Sequence, residues 1–227
     1  MQSTINDIEN TDDNKIKFVG DNRVFEFDIK SEKIILNFKN IITIPKEIKK
    51  LQNLTYLDLN NNKIHQFSEN IGDLKNLIYL NLNNNEIQKI PKKIENLKNL
   101  THLNLSNNEI QKIPKKIKNL KNLKKLNLNY TKMKELPEEM DGLQNLEFLS
   151  LESNNIENFS CLCNLQNLKF LNLENNIIYR IPNKIQNLKN LKVLNLNSNY
   201  IKKIPFSLYK LKNLKQLYLN ENYIQSF

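Results

Sequence analysis

The 227-residue sequence has no tryptophan, only three glycines, two cysteines and two histidines. Each shortage removes a class of chemistry. Three glycines leave no room for a GxGxxG turn or a phosphate-cradling loop, which need several residues of close backbone approach. His65 and His102 stand far apart and at different places in the pattern described below. No Ser/His/Asp or Cys/His arrangement follows from them. Cys161 and Cys163 are one residue apart. Cysteines that close seldom bridge each other, and two thiols alone make no zinc site. They flank Leu162, a core position of the pattern, and read as packed, inert thiols. No catalytic group, cofactor or metal site is expected, and the chain is read as a non-enzyme. Cysteine usage fits a reducing, cytoplasmic compartment. The N-terminal MQSTINDIENTDDNK has neither the basic nor the apolar region of a signal peptide. No apolar run approaches the length of a membrane span.

What is abundant is Lys, Asn, Ile and Leu. Lys and Arg number 34 against 24 Asp and Glu, a formal net charge of +10. That mixture is compatible with codon bias on a solvated face as well as with a basic binding surface. Residues 1–15 are polar and acidic, with Asp7, Glu9, Asp12 and Asp13, and are expected to be disordered. From residue 16 the character changes. IKFV, then Gly20-Asp21-Asn22, then RVFEFDI reads as a hairpin, with Phe25, Phe27 and Ile29 alternating on one face. Residues 16–53 form an N-terminal hairpin cap plus a degenerate first repeat, in which Ile34, Leu36, Ile41, Ile44, Pro45, Ile48 and Leu51 fall on the frame. Lys39 stands where later units carry Asn.

From residue 54 to 227 the frame is regular. Leu77–Asn99, LIYLNLNNNEIQKIPKKIENLKN, is copied almost unchanged from Leu100 onward. Units start at Leu54, Leu77, Leu100, Leu123, Leu146, Leu168, Leu191 and Leu214, the last incomplete. The complete units are 23 residues long except the unit at Leu146, which has 22. Such a period is the mark of a solenoid. In Leu80-Asn81-Leu82 the alternation suits a strand with one buried face, and Pro91 suits the first position of a short helix. The Asn column, Asn62, Asn85, Asn108, Asn154, Asn176, Asn199 and Asn222, offers side-chain amides to satisfy buried turn backbone. Thr131 interrupts it with a hydroxyl.

The pattern L-x-x-L-x-L-x-x-N-x-I-x-x-I-P-x-x-I-x-x-L-x-N resembles the leucine-rich repeat family, in its 23-residue intracellular class. The resemblance implies an α/β fold: a right-handed solenoid with a parallel sheet on the concave side and short helices or turns on the convex side. It also implies a protein-binding role, in signalling or scaffolding.

The frame assigns side chains to the concave face by column. One column runs Tyr56, Tyr79, His102, Lys125, Phe148, Phe170, an aromatic stripe broken by a lysine. The next includes Asp58, Asn81 and Asn104, the one after it Glu152 and Glu174, and the last Tyr130. Exposed rings beside polar groups suit a protein partner, because aromatics supply contact area at low entropic cost. Against that stands their plain preference for strands. The lysines fall mainly on the convex side, and the unit at 146–167 has none. An interrupted basic track separated from the aromatics argues against nucleic acid. Two alternatives stay open: a substrate-recruiting array of a larger enzyme, and a basic convex surface for membrane or nucleic acid. The last unit shows no cap, so Leu214, Leu217, Leu219 and Ile224 are left with one poorly covered side, and two covers stay open: Tyr218, Tyr223 and Phe227, or an end-to-end homodimer. The pattern fails most between residues 123 and 167.

Overall fold

The structure, a computed structural model, describes residues 13–225. Most of the acidic tail expected to be disordered, and Phe227, lie outside the described residues. Strands β1 (Lys15–Gly20) and β2 (Arg23–Asp28) form the antiparallel hairpin. Asp21 and Asn22 make its turn at φ 47° and 56°, the left-handed values that a tight two-residue turn requires. Phe25, Phe27 and Ile29 pack against the core as expected, but the deepest contacts come from β1, where Ile16 and Phe18 are fully buried. Gly20 bridges to Ile41 of the first repeat, and a Cβ there would overlap the Lys39 carbonyl oxygen.

Nine three-residue strands follow: β3 (Lys33–Ile35), β4 (Tyr56–Asp58), β5 (Tyr79–Asn81), β6 (His102–Asn104), β7 (Lys125–Asn127), β8 (Phe148–Ser150), β9 (Phe170–Asn172), β10 (Val193–Asn195) and β11 (Gln216–Tyr218). They pair in sequence order as one parallel sheet, the concave wall of a right-handed solenoid. The strands align without slippage, so Tyr56, Tyr79, His102, Lys125, Phe148, Phe170, Val193 and Gln216 lie on one line across the sheet. The central leucine of each strand from β4 to β10 points inward and is buried. One leucine or isoleucine column after another closes behind it, because each unit lends one apolar side to each neighbour.

The convex side consists of five-residue 3-10 helices, such as Lys92–Asn96 and Lys115–Asn119. The prolines sit one place earlier than expected. Pro91 precedes the helix at φ −64° and ψ 147°, and its carbonyl accepts the Ile94 N–H at 3.2 Å. An extended proline can turn the chain into the tight helix and has no N–H to leave unpaired. Ile94 and Leu97 both enter the core, as their spacing predicts.

The short unit departs at this point. Phe159 occupies the place of Ile90 or Ile113 and also takes over the capping role, at φ −121° and ψ 22°. Ser160 is already helical, so the missing residue is the proline itself. Phe159 fills the interior completely, and Cys161, Leu162 and Cys163 are buried behind it. Burial pushes both thiols up to about 12, as expected of inert cysteines.

Candidate functional site on the concave face

Each concave strand ends in a turn whose polar groups must be satisfied before any are offered outward. The Asn column does most of this. Asn108 is representative: its Nδ2 donates to the Leu82 and Leu105 carbonyls at 2.9 and 3.0 Å, and its Oδ1 accepts the Ile87 N–H at 2.9 Å. Asn62, Asn85, Asn154, Asn176, Asn199 and Asn222 repeat these bonds. Thr131 has only a hydroxyl, 3.1 Å from the Leu128 carbonyl and 2.6 Å from Asn154 Oδ1.

One of the expected concave columns is bonded in the same way. Asp58 and Asn81 are buried, at 7% and 8% exposure, and Asn104 is half-buried. Their Oδ1 atoms accept the N–H two residues on, at 3.2, 3.1 and 3.1 Å. These are short Asx turns that close the strand, and they leave Asp58 and Asn81 little side-chain surface, while Asn104 stays half open. The residue before each ladder position is the one left-handed point of the turn: Asn61, Asn84, Asn107, Tyr130, Ser153, Asn175, Ser198 and Glu221 have φ between 51° and 55°. Asn tolerates that region best after Gly, which explains its frequency there.

The aromatic column is what remains on the floor of the concave face. Its rings are half-buried and not freely exposed, a correction, because strand spacing brings neighbours into face contact. Tyr56 and Tyr79 stack at 4.3 Å with planes 1° apart, and Lys33 lies 4.7 Å above the Tyr56 ring. Phe148 and Phe170 stack at 4.5 Å and 6°. Between the two stacks sit His102 and Lys125, and there the floor opens into a cleft of about 250 Å³ lined by Tyr79, His102, Asn104, Lys125, Asn127 and Phe148.

The electrostatics of this cleft are local. Burial, then Lys125 and Lys124, hold the His102 imidazole below its usual pKa, so the ring is neutral near pH 7. Its Nδ1 lies 2.8 Å from Thr101 Oγ1. Burial first, then Tyr56 and Asp58, push Tyr79 up to about 12. Lys125 is exposed and is the cleft's one cation. Farther along, Glu152 and Glu174 form an acidic rim. Glu152 accepts the Tyr130 hydroxyl at 2.6 Å and the Asn172 amide at 3.1 Å, and Glu174 accepts the Asn195 amide at 2.7 Å. That bond raises the Tyr130 pKa and places its exposed ring on the rim. On the convex side lysines are interleaved with acids from neighbouring units, as in Lys116–Glu95 and Lys115–Glu139, both 3.5 Å. No helix among the described residues is long and apolar enough to cross a membrane.

A second asparagine row, the last position of the repeat pattern, was given no role from the sequence. Asn76, Asn99, Asn122, Asn145, Asn167, Asn190 and Asn213, each just before a unit's first leucine, donate to a carbonyl of the preceding unit at 2.7–3.0 Å. Their invariance across the units was the available signal.

A profile of the leucine-rich repeat region matches residues 34–104, 68–158 and 152–225. No curated protein matches the chain. Among solved structures, a leucine-rich repeat protein of Leptospira interrogans is 34% identical with a TM-score of 0.70, over 85% of this chain and 55% of that one. A plant peptide hormone receptor, RGFR1 in complex with RGF2, is 30% identical with a TM-score of 0.78, over 86% of this chain and 33% of the receptor. Internalin C2 of Listeria monocytogenes is 28% identical with a TM-score of 0.68, over 86% and 74%. The chain thus spans about half the length of the Leptospira protein and a third of the receptor. With a matching profile over nearly every repeat, the chain belongs to the leucine-rich repeat family, whose fold is a typical protein-interaction module.

Proposed function

We propose that the concave face holds a protein partner, seated on the two aromatic stacks and the cleft between them. One observation carries this reading. A solenoid floor otherwise occupied by amides bonded to its own backbone offers paired ring edges at Tyr56–Tyr79 and Phe148–Phe170, with Lys125 and the neutral His102 between them. Rigid, half-buried rings around a small pocket are the usual anchors of an interface, and the Glu152–Glu174 rim with Tyr130 supplies its polar border. The plant receptor solved in complex with RGF2 supports the reading by analogy.

Affinity capture from the native host cell, with wild-type protein beside a Tyr79→Ala, Phe148→Ala double variant, tests it. The wild type is expected to retain a partner that the variant loses. Each substitution breaks one stack and lowers stability by about 0.5–1.5 kcal/mol beyond the area lost, so the variant must be assayed well below its melting temperature. Equal retention by a folded double variant overturns the proposal.

A further inference from the structure

A depression larger than the concave cleft lies away from the concave face. It runs along the flank between the Asn turns and the convex helices, about 810 Å³, floored by Ile90, Ile113, Pro114, Leu136 and Pro137. A second depression of about 620 Å³ adjoins it and shares Glu135, Leu136 and Glu138. Together they make one trough from the unit at Leu77 to the short unit at Leu146.

The missing proline accounts for the second half. Ile90, Ile113 and Ile181 occupy equivalent places and are 7%, 6% and 4% exposed, whereas Leu136, next to the short unit, is half-buried. In that next unit the chain turns inward at Phe159 one residue early, so the extended Pro that would flank Leu136 is absent. Beside the 22-residue repeat Leu136 is therefore more open than the isoleucines at the equivalent places of the 23-residue repeats.

The trough is also polar along its length. Lys89, Lys92, Lys112 and Lys115 line its N-terminal half without an acid, and Glu135, Glu138, Glu139 and Glu157 line the rest with Lys134. Lys115 and Glu139 pair with each other across units. Among the described residues Lys89, Lys112, Glu135 and Glu138 make no ion pair, so both ends present uncompensated charge.

We propose that this trough is a second docking surface, which takes an extended segment of another protein with an apolar centre, an acidic end over Lys89 and Lys112 and a basic end over Glu135 and Glu138. Four units at the ~4.8 Å spacing of strands span roughly 15 Å, which about five extended residues match. Apolar contact at Leu136 supplies area and the charged ends set register.

A displayed library of short random peptides, recovered on immobilised protein, tests this. The bait proteins are the wild type, a Lys89→Glu, Lys112→Glu variant, a Glu135→Lys, Glu138→Lys variant and the concave Tyr79→Ala, Phe148→Ala variant. These four charged side chains are exposed and carry no internal pairing, and thermal melting confirms that each variant is folded. Wild-type protein is expected to recover peptides with one acidic and one basic end around an apolar centre. Either charge variant should lower recovery of that set about tenfold. The first should instead select peptides basic at both ends, and the second peptides acidic at both ends. The concave variant should recover the wild-type set unchanged. Absence of any recovered set, a set without separated charge, or a set lost on the concave variant overturns the proposal, and only the last of these bears on the concave reading.

Discussion

Tyr130 and Phe38 are the two aromatic residues at the left-handed position of the turn, at φ 51° and 58°. Four equivalent turn positions carry Asn, and a large side chain there is disfavoured. Backbone strain of this kind gathers at functional sites, and the Tyr130 ring stands on the rim of the concave cleft with its hydroxyl on Glu152. Tyr130→Asn is expected to raise the melting temperature slightly while weakening capture of the concave partner. A variant that melts lower would remove the strain argument. The buried thiols set a different expectation. Folded Cys161 and Cys163 keep their protons up to about pH 12, whereas an unfolded cysteine gives its proton up near 8.5. The folded state then binds more protons in that window. Stability from this source is complete below about pH 8.5 and falls as pH rises towards 12. Denaturant melts of wild type against Cys161→Ala, Cys163→Ala should show the fall between about pH 8.5 and 10 only in the wild type, because above about pH 10 Tyr79, also raised to about 12, adds a slope to both.

Single elements show what the sequence disclosed and what it hid. The leucine columns were legible because a 23-residue period forces every unit to bury the same positions. The polar columns were not. A three-residue strand is too short for alternation to decide whether its last side chain faces outward, and Asp58, Asn81 and Asn104 turn back to their own backbone. Likewise, the aromatic column could be placed on the floor from the frame, but stacking that leaves the rings only half exposed depends on register across strands. Two asparagine rows of identical composition also differ in weight. Asn108 is 5% exposed and bonds four backbone groups, the Ile87 N–H and the Leu82, Leu105 and Ser106 carbonyls. Asn122 is exposed and donates once, to the Lys98 carbonyl at 2.8 Å. Asn108→Ala should destabilise by about 1–3 kcal/mol for each buried group left unpaired. Asn122→Ala should stay near the ~0.5 kcal/mol typical of surface changes. Equal losses by urea titration would contradict the division into an inner and an outer row.

At the scale of the whole molecule, the two ends of the solenoid differ among the described residues. Its first repeat is covered by the hairpin, with Ile16 and Phe18 fully buried against it. At the other end β11 pairs only with β10 among the described residues, and Leu217 and Tyr218 are each 39% exposed. In a stack where each unit is held by its neighbours, a strand paired on one side among the described residues should open before strands paired on both. Amide hydrogen exchange is therefore expected to be slowest in β4 to β9 and fastest in β11. Phe18→Ala should remove the asymmetry. It costs roughly 3–5 kcal/mol at a fully buried ring and should bring exchange at β3 and β4 up towards that at β11. Leu217→Lys separates intrinsic opening from the end-to-end pairing left open by the sequence. If β11 exchanges fast in wild type and variant alike, and light scattering gives one monomeric mass for both, the open edge is free in solution. If the wild type instead protects β11, scatters as a dimer, and loses both properties on Leu217→Lys, a second copy covers that edge and the predicted gradient fails.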